Sequence, residues 1–438
     1  MTDSAYSEDG VSGAADYDAV IVGASLAGCT SAIMLGRAGA RVALVEQRPD
    51  PAAYKRICSH YIQASAVATL ERVGLLEPML AAGALRSRGR VWTRWGWIAP
   101  RPGGRVPAGV NLRRERLDPL VRELAAQTPG VELMLGHTVT ELVREGQAVR
   151  GVHARTVEGQ ELTLRAPLVV GADGRDSRVA KLAQVRTKTV RHGRFAYGGY
   201  FDGPAPANAP DASLWLLDPH MAAAFPTDSG QTFYAVMPTK DLLPQFRADP
   251  AKALVEFIAA IPEAPPILAS QLVGPVQGKL DMTNVAHAVT APGLALVGDA
   301  ALAIDPLWGV GCGWAFQSAE WLADSVAPAL AGGANVAELE HGLKRYRRRH
   351  ARGLRGHALL MYDYAGGRKL NLGERFLMSA AVSGDERLGR TFEAFATRCI
   401  GPARMFASGV PRAALVHARS QRSARAGGDS HALPTGSV

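Results

Sequence analysis

Apolar residues at the start of the chain fall into two short runs separated by a helix-like segment. Residues 17–22 are almost continuously apolar, as in a strand buried within a parallel sheet. A helix is predicted over residues 29–37 and stops before Gly39, a favourable C-terminal cap. A second apolar strand, residues 41–45, ends on Glu46. This order predicts a βαβ unit at the start of an α/β fold with a parallel sheet.

The pattern changes in the middle of the chain. Between about residues 195 and 280, short strands alternate with Pro, Gly and Asp, and one helix is predicted over residues 250–260. Helical patterns return after residue 336. We therefore expect a β-rich second domain inserted between pieces of the first, followed by C-terminal helices.

The loop after the first strand has the features of a dinucleotide-binding turn. Gly23 suits the tight turn, the small Ser25 lies where a pyrophosphate would approach, and Gly28 permits close helix packing. Glu46 comes 23 residues after Gly23, where an acid accepts from ribose hydroxyls. We interpret this unit as a nucleotide-binding site.

A second candidate loop lies about 275 residues downstream, at Gly298 and Asp299. The apolar strand 294–297 precedes it, and a Pro/Gly-rich loop leads from it into a helix-like run. Asp299 is placed to accept from a sugar hydroxyl, while Gly309 and Gly311 let a flat ring lie against the backbone. We expect left-handed backbone at Gly311. Two such loops predict one long ligand held at both ends.

Composition excludes several classes of protein. With 47% hydrophobic and 20% charged residues, the 438-residue chain is typical of globular proteins, and no apolar run is long enough to span a membrane. The net charge of +9 comes largely from residues 344–352 and 419–425, which lack interleaved aromatics, so we predict a solvated helix face and tail rather than a nucleic-acid site. The four cysteines form no C-x-x-C pair, which predicts no metal site and a reduced, cytoplasmic protein.

Together, the loop at Gly23, the strand leading to Asp173 and Gly174, and the loop at Gly298 resemble three motifs of one flavoprotein family. This single-Rossmann family contains the para-hydroxybenzoate-hydroxylase-like monooxygenases, the geranylgeranyl reductases and the flavin-dependent halogenases. The resemblance covers about residues 17–350, with the motifs in the family's order. It implies that the cofactor is FAD.

The resemblance also implies which residues hold the FAD. Gly23, Ser25 and Gly28 would bind the pyrophosphate, Glu46 the adenosine ribose and Asp299 the ribityl chain, with the turn at residues 309–313 facing the ring. The full set of implied cofactor-binding residues is Gly23, Ser25, Leu26, Ala27, Gly28, Glu46, Gln47, Arg48, Arg114, Asp173, Gly174, Gly298, Asp299, Pro306, Gly309, Val310 and Gly311. FMN is not expected to replace FAD, since it lacks the adenosine half.

The implied domains follow the same motifs. An FAD-binding domain would comprise residues 17–85, 111–190 and 283–335, with a substrate-domain flap at residues 86–110. The β-rich substrate domain would be residues 191–282 and the C-terminal helices residues 336–410, with residues 1–16 and 411–438 disordered.

The activity implied is an NAD(P)H- and O2-dependent monooxygenase that acts through a flavin C4a-hydroperoxide on a small, largely apolar or aromatic metabolite. Three alternatives stay open: a reductase of carbon–carbon double bonds, a halogenase supplied by a partner flavin reductase, and a non-catalytic flavin-binding accessory protein. The chain is expected to be a monomer or homodimer. No catalytic residue is assigned, and the candidates are His60, Trp308, Gly309 and Gly311.

Tryptophans between the first two motifs bear on these alternatives. The run from Trp95 through Trp97 to Pro100 is close to the halogenase W-x-W-x-I-P signature. However, Ile98 is one place early and the run precedes Arg114, so we interpret it as flap or core aromatics. Lys55 lacks the motif that would mark it as the halogenase lysine. Candidates for the wall of an apolar substrate pocket are Trp92, Trp95, Trp97, Trp215 and Phe225.

Overall fold

The computed structural model describes residues 16–100, 104, 106–331 and 335–428, and confirms an α/β fold. Its first sheet has six strands, of which all but the edge strand Thr290–Ala291 run parallel. In spatial order the strands are Thr290–Ala291, Leu294–Leu296, Leu168–Gly171, Ala19–Val22, Val42–Glu46 and Val131–Leu135. The carboxyl ends of the parallel strands meet at one edge, which is where ligands bind in such sheets.

Helices cover this sheet because its central strands are apolar on both faces. Ala19–Val22 and Val42–Glu46 are buried throughout. The first helix, Leu26–Arg37, begins three residues earlier than predicted, since Ser25 is its N-terminal capping residue. The other large helices of this layer are Arg114–Ala126, Gly311–Ala331 and Val336–Ala365.

The second sheet has seven strands and corresponds to the predicted β-rich region. Part of the predicted flap joins it, because the hairpin Gly89–Thr93 and Gly96–Ile98 forms its last two strands. In spatial order the strands are Gln271–Lys279, Ala196–Asp202, Thr232–Met237, Met221–Pro226, Ala212–Leu216, Gly89–Thr93 and Gly96–Ile98. Its core is rich in aromatic side chains, including Phe195, Trp215 and Phe246.

Smaller elements complete the fold. Three three-stranded sheets contain Glu161–Arg165, Ala148–Thr156 and His137–Glu145; Thr187–Val190, Asn284–His287 and Leu302–Ala303; and Tyr61–Ile62, Gly109–Asn111 and Leu85–Ser87. The short α-helices are Val67–Arg72, Leu76–Ala81, Arg178–Leu182, Leu243–Ala248 and Pro250–Ala259. Single 3₁₀ turns lie at Ala64–Ala66, Lys240–Leu242, Ile267–Ala269, Gly298–Ala300 and Pro306–Trp308.

Three C-terminal helices, Leu372–Val382, Glu386–Ala396 and Pro402–Gly428, pack beside the hairpin of the second sheet. The disorder predicted from residue 411 onward is wrong as far as residue 428. Ala413 and Val416 are buried in a cluster with Ile98, which gives the last helix an apolar face that its many arginines mask in the sequence. The disorder predicted for residues 1–15 and 429–438 lies outside the described residues.

Candidate active site

A cleft of about 810 Å³ opens at the carboxyl ends of the parallel strands. This volume lies within the range of small-molecule and cofactor sites. We call it the cofactor cleft, and the predicted cofactor-binding residues that line it are Gly23, Ser25, Leu26, Ala27, Glu46, Gln47, Arg48, Arg114, Asp173, Gly174, Asp299, Pro306, Gly309, Val310 and Gly311. Of the predicted set, Gly28 and Gly298 do not line it.

The glycine turn after the first strand is sterically required. Gly23 has a φ of +106°, and a Cβ there would lie 2.6 Å from the Ala172 carbonyl oxygen. A Cβ on Gly28 would lie 1.8 Å from the Gly23 carbonyl oxygen, so only glycine at position 28 lets the helix pack this closely against the turn. Glu46 Oε2 accepts from the Ala24 backbone N–H at 2.9 Å. The turn and the ribose-type acid are therefore held together.

Arg114 connects this turn to the neighbouring loop. Its buried guanidinium donates to Ser25 Oγ at 2.8 Å and forms an ion pair with Asp118 at 2.6 Å. Asp118 also accepts from the Lys55 backbone N–H at 2.9 Å. The sequence indicated Arg114 only through the family resemblance, and its contact with Ser25 depends on the tertiary fold.

Asp299 lies in the cleft beside Lys55. The Lys55 ammonium donates to Asp299 Oδ2 at 3.2 Å. Burial works to raise the pKa of Asp299, but the charges of Lys55 and Arg175 outweigh it and lower that pKa. Asp299 is therefore an ionised acceptor, as a ligand with sugar-like hydroxyls requires. Lys55 has no motif that marks it for this contact.

The glycine turn before the helix Gly311–Ala331 presents open backbone to the cleft. A Cβ on Gly311 would have Asp299 Oδ1, at 3.8 Å, as its nearest neighbour among the described residues. The left-handed residue is Gly309, with a φ of +60°, so the left-handed backbone expected at Gly311 is wrong. Gly311 instead begins the helix and leaves its face free. Gln63, which the sequence did not mark, fixes the turn by donating to the Trp308 carbonyl at 2.8 Å.

Asp173 belongs to a local hydrogen-bonding network. Its carboxylate accepts from Ser177 Oγ at 2.6 Å and from the Val179 backbone N–H at 3.0 Å, so it also stabilises the start of a short helix. Arg175 donates to the carbonyls of Thr283 and Ile304, both at 2.8 Å. The second motif is thereby fastened to the segment that precedes the turn at residues 309–313.

His60 is buried, and both of its ring nitrogens are used. Nδ1 accepts from the Arg114 backbone N–H at 3.0 Å, so the ring N–H is on Nε2, which contacts the Tyr200 hydroxyl. Burial lowers the pKa of His60, which keeps the ring neutral. The ring therefore positions Arg114, and a catalytic role for His60 stays a prediction.

Two cysteines that are 254 residues apart in sequence meet in the cleft. Cys58 Sγ and Cys312 Sγ are 3.6 Å apart, and the Arg114 guanidinium lies 3.9 Å from Cys312 Sγ. The hydrogen bond with Cys312, together with the charges of Arg114 and Lys55, outweighs burial and lowers the pKa of Cys58. The spacing of the cysteines along the sequence did not indicate this thiol pair, because it forms only when distant segments meet.

A second, largely apolar cavity of about 200 Å³ lies between the turn at residues 309–313, the second sheet and the C-terminal helices. We call it the apolar cavity, and it shares Tyr61 and Gly309 with the cofactor cleft. Other residues of its wall are Gln63, Val91, Ile98, Leu214, Phe225, Trp308, Met361, Leu370, Leu377, Met378, Phe392 and Met405.

Only one of the aromatic residues predicted for the substrate wall lines the apolar cavity of the described chain. That residue is Phe225. Trp92 and Trp97 donate to Glu263 at 3.1 and 2.7 Å, and Trp215 packs edge-on against Trp97. These three tryptophans belong to the core on the other face of the sheet.

Comparison with known proteins identifies the class. The family described as "FAD binding domain" matches residues 16–355, so the chain belongs to this family. Kynurenine 3-monooxygenase of Salinispora arenicola is 29% identical over 318 residues, covering 68% of this chain and 70% of the relative. Digeranylgeranylglycerophospholipid reductase of Methanosarcina mazei is 25% identical over 343 residues, covering 74% of this chain and 78% of the reductase.

Solved structures share the fold. A flavin-dependent brominase has a TM-score of 0.72 at 19% identity, and the match covers 93% of this chain and 99% of the brominase chain. The p-nitrophenol 4-monooxygenase of Pseudomonas putida DLL-E4 has a TM-score of 0.70 at 20% identity, and the match covers 88% of this chain and 98% of that enzyme's chain. The protein is therefore an FAD-dependent oxidoreductase of the monooxygenase type. No helix of the described residues is long and apolar enough to cross a membrane.

The residues of the cleft fit FAD. Gly309 and Gly311 expose their backbone to the cleft, and a side chain at either position would cover the surface on which a flat ring could lie. Asp299 supplies an ionised acceptor for hydroxyls, and the start of the helix Leu26–Arg37 supplies N–H groups for a pyrophosphate.

Proposed function

We propose that the protein is an NAD(P)H- and O2-dependent monooxygenase of a small, largely apolar or aromatic metabolite. The observation that carries the proposal is that the cofactor cleft and the apolar cavity meet at Gly309 and Tyr61. A flavin ring against the turn at residues 309–313, the flavin-facing turn of this proposal, would lie at the boundary between a polar cleft and an apolar space. FAD, when bound, supplies the activation of oxygen.

The chain's own residues would divide the binding work along the cleft. We assign the pyrophosphate to the loop containing Gly23 and Ser25, with Leu26, Ala27 and Gly28 at the start of its helix. Glu46, followed by Gln47 and Arg48, would hold the adenosine end, and Asp299, after Gly298, the ribityl chain. Arg114, Asp173 and Gly174 would line the middle, and Pro306, Gly309, Val310 and Gly311 would contact the ring.

The apolar cavity would exclude water from the reacting atoms. Its wall carries Phe225, Trp308 and Met361 beside the turn, and reactive oxygen chemistry depends on such exclusion. Backbone N–H groups at the start of Gly311–Ala331 would stabilise negative charge on a reduced ring. Those two features distinguish an oxygenase from a protein that merely stores flavin.

Reduction of a carbon–carbon double bond is a second candidate, supported by similarity to the Methanosarcina mazei reductase. The halogenase alternative gains less support, because Lys55 pairs with Asp299 in the cofactor cleft and does not line the apolar cavity. NAD(P)H consumption, followed with and without oxygen and halide and coupled to mass spectrometry of products, separates these activities. Product formed without oxygen would overturn the monooxygenase proposal.

A further inference from the structure

Among the described residues, four charged side chains line the apolar cavity, and three of them have a counterion. Arg88 donates to Glu393 at 2.7 Å. Glu374 accepts from Arg368 at 2.7 Å and also closes a capping box at the start of its helix. Arg398 is the fourth, and the described residues place no carboxylate within ion-pair distance of it.

Arg398 follows the helix Glu386–Ala396 in left-handed backbone, with a φ of 66°. Its Nη1 donates to the carbonyls of Phe395 and Ala396 at 3.1 and 2.6 Å, which caps the helix end. Its Nε is buried, and the described residues offer it no acceptor. Burial lowers the pKa of Arg398 to about 9, and the Tyr61 hydroxyl acts against this lowering.

Capping alone does not explain this arrangement, because it uses one nitrogen of the guanidinium and leaves the charge unpaired. A partly buried cation without a counterion is costly, and arginine pairs strongly with carboxylates through two parallel hydrogen bonds. We propose that the substrate of the apolar cavity is an organic acid whose carboxylate pairs with Arg398. This inference rests on the proposed function, which makes the cavity the substrate site.

The cavity fits a small acid with an apolar body. About 200 Å³ is below the common range for drug-sized ligands, and most of the wall is hydrocarbon. Trp308 and Gly309 bound the same space, so an acid held at Arg398 keeps its apolar body in a cavity that meets the flavin-facing turn. The carboxylate would thereby select the substrate and fix its orientation.

Matched acids and alcohols test the proposal on the FAD-loaded protein by isothermal titration calorimetry. The probes are benzoate with benzyl alcohol, 3-phenylpropionate with 3-phenylpropan-1-ol, and octanoate with octan-1-ol. We expect at least one acid to bind about tenfold or more tightly than its alcohol. Arg398→Gln should abolish that preference without changing alcohol affinity, and Arg398→Lys should keep a preference because the charge remains.

The control is Arg390→Gln, since Arg390 is exposed on the helix that precedes Arg398 and pairs with Glu386. It should bind every probe as the wild type does. The proposal is overturned if no acid binds better than its alcohol, if Arg398→Gln weakens acid and alcohol equally, or if Arg398→Lys loses the preference. FAD content and NAD(P)H oxidation are measured on the same samples. An absence of FAD would count against the proposed function, whereas bound FAD without acid preference would count against this inference alone.

Discussion

The cofactor cleft and the apolar cavity share Tyr61 and Gly309 but differ in how they are built. The cleft is held by charged and hydrogen-bonded groups, such as Arg114 with Asp118 and Lys55 with Asp299. The cavity has a mostly hydrocarbon wall, and the described residues provide no counterion for its lining cation Arg398. A polar cleft can hold a long, charged cofactor in one position, whereas an apolar cavity constrains its ligand mainly by shape and by its few polar groups.

The largest expected effect lies where the two regions meet. Gly311→Val would fill the open face of the turn at residues 309–313, where the nearest described neighbour of a Cβ is now 3.8 Å away. The backbone there is not left-handed, so the variant should fold and keep FAD through Gly23 and Asp299. We expect product formation to fall by at least about two orders of magnitude, as when a preorganised donor site is lost.

Product yield and FAD content of the Gly311→Val protein are the measurements. Gly401→Ala is the control, because a Cβ on Gly401 meets no described atom within 4 Å and Gly401 lies outside both cavities. Native turnover in Gly311→Val would mean that the flavin ring does not contact this turn.

A change confined to the cleft should affect cofactor affinity first. Asp299→Ala removes an ionised acceptor, and hydrogen bonds to charged groups contribute about 1.5–3 kcal/mol. We therefore expect FAD to bind about 10- to 150-fold more weakly in a fluorescence titration. The exposed Asp202→Ala variant serves as the control. Unchanged FAD affinity in Asp299→Ala would contradict the assignment of the ribityl site.

The thiol pair reports on the electrostatics of the cleft. Because the pKa of Cys58 is lowered and that of Cys312 is raised, Cys58 should carry a larger thiolate fraction than Cys312 at neutral pH. Iodoacetamide should then alkylate Cys58 about tenfold faster than Cys312 at pH 7, and the rate should fall as the pH drops through the pKa of Cys58. Peptide mass spectrometry measures both rates. Faster labelling of Cys312 would reverse the assignment.

The smallest effect on turnover is expected from His60. His60→Asn removes the ring that accepts from the Arg114 backbone, and Asn tolerates the left-handed φ of 62°. The free energy of unfolding should fall by about 1–3 kcal/mol in urea denaturation, with kcat nearly unchanged. A loss of kcat larger than tenfold in a protein that still binds FAD would instead support a catalytic role for His60.

The same contrast explains what the sequence could predict. The cleft is built from contiguous motifs around Gly23, Asp173 and Asp299, each a strand followed by a turn, so local patterns indicate them. The contacts between motifs, such as Arg114 with Ser25, appear only when distant segments meet. The three-segment FAD-binding domain and the assigned roles of the site residues stay predictions.

The apolar cavity has no such local signature. Its wall combines Phe225 from the second sheet, Trp308 from the turn and Leu377 from a C-terminal helix. The tryptophan-rich stretch suggested wall residues that do not line the apolar cavity, because Trp92 and Trp97 are as well suited to a core as to a pocket. Arg398 resembles any surface arginine until its burial is known.

The direct measurement of the proposed chemistry is turnover of the FAD-loaded enzyme under isotopically labelled O2, with NAD(P)H as reductant and mass spectrometry of the product. If the two regions cooperate as proposed, the product carries one labelled oxygen atom and its formation stops without O2. A reduced or halogenated product, or one whose new oxygen is unlabelled, would contradict the monooxygenase function.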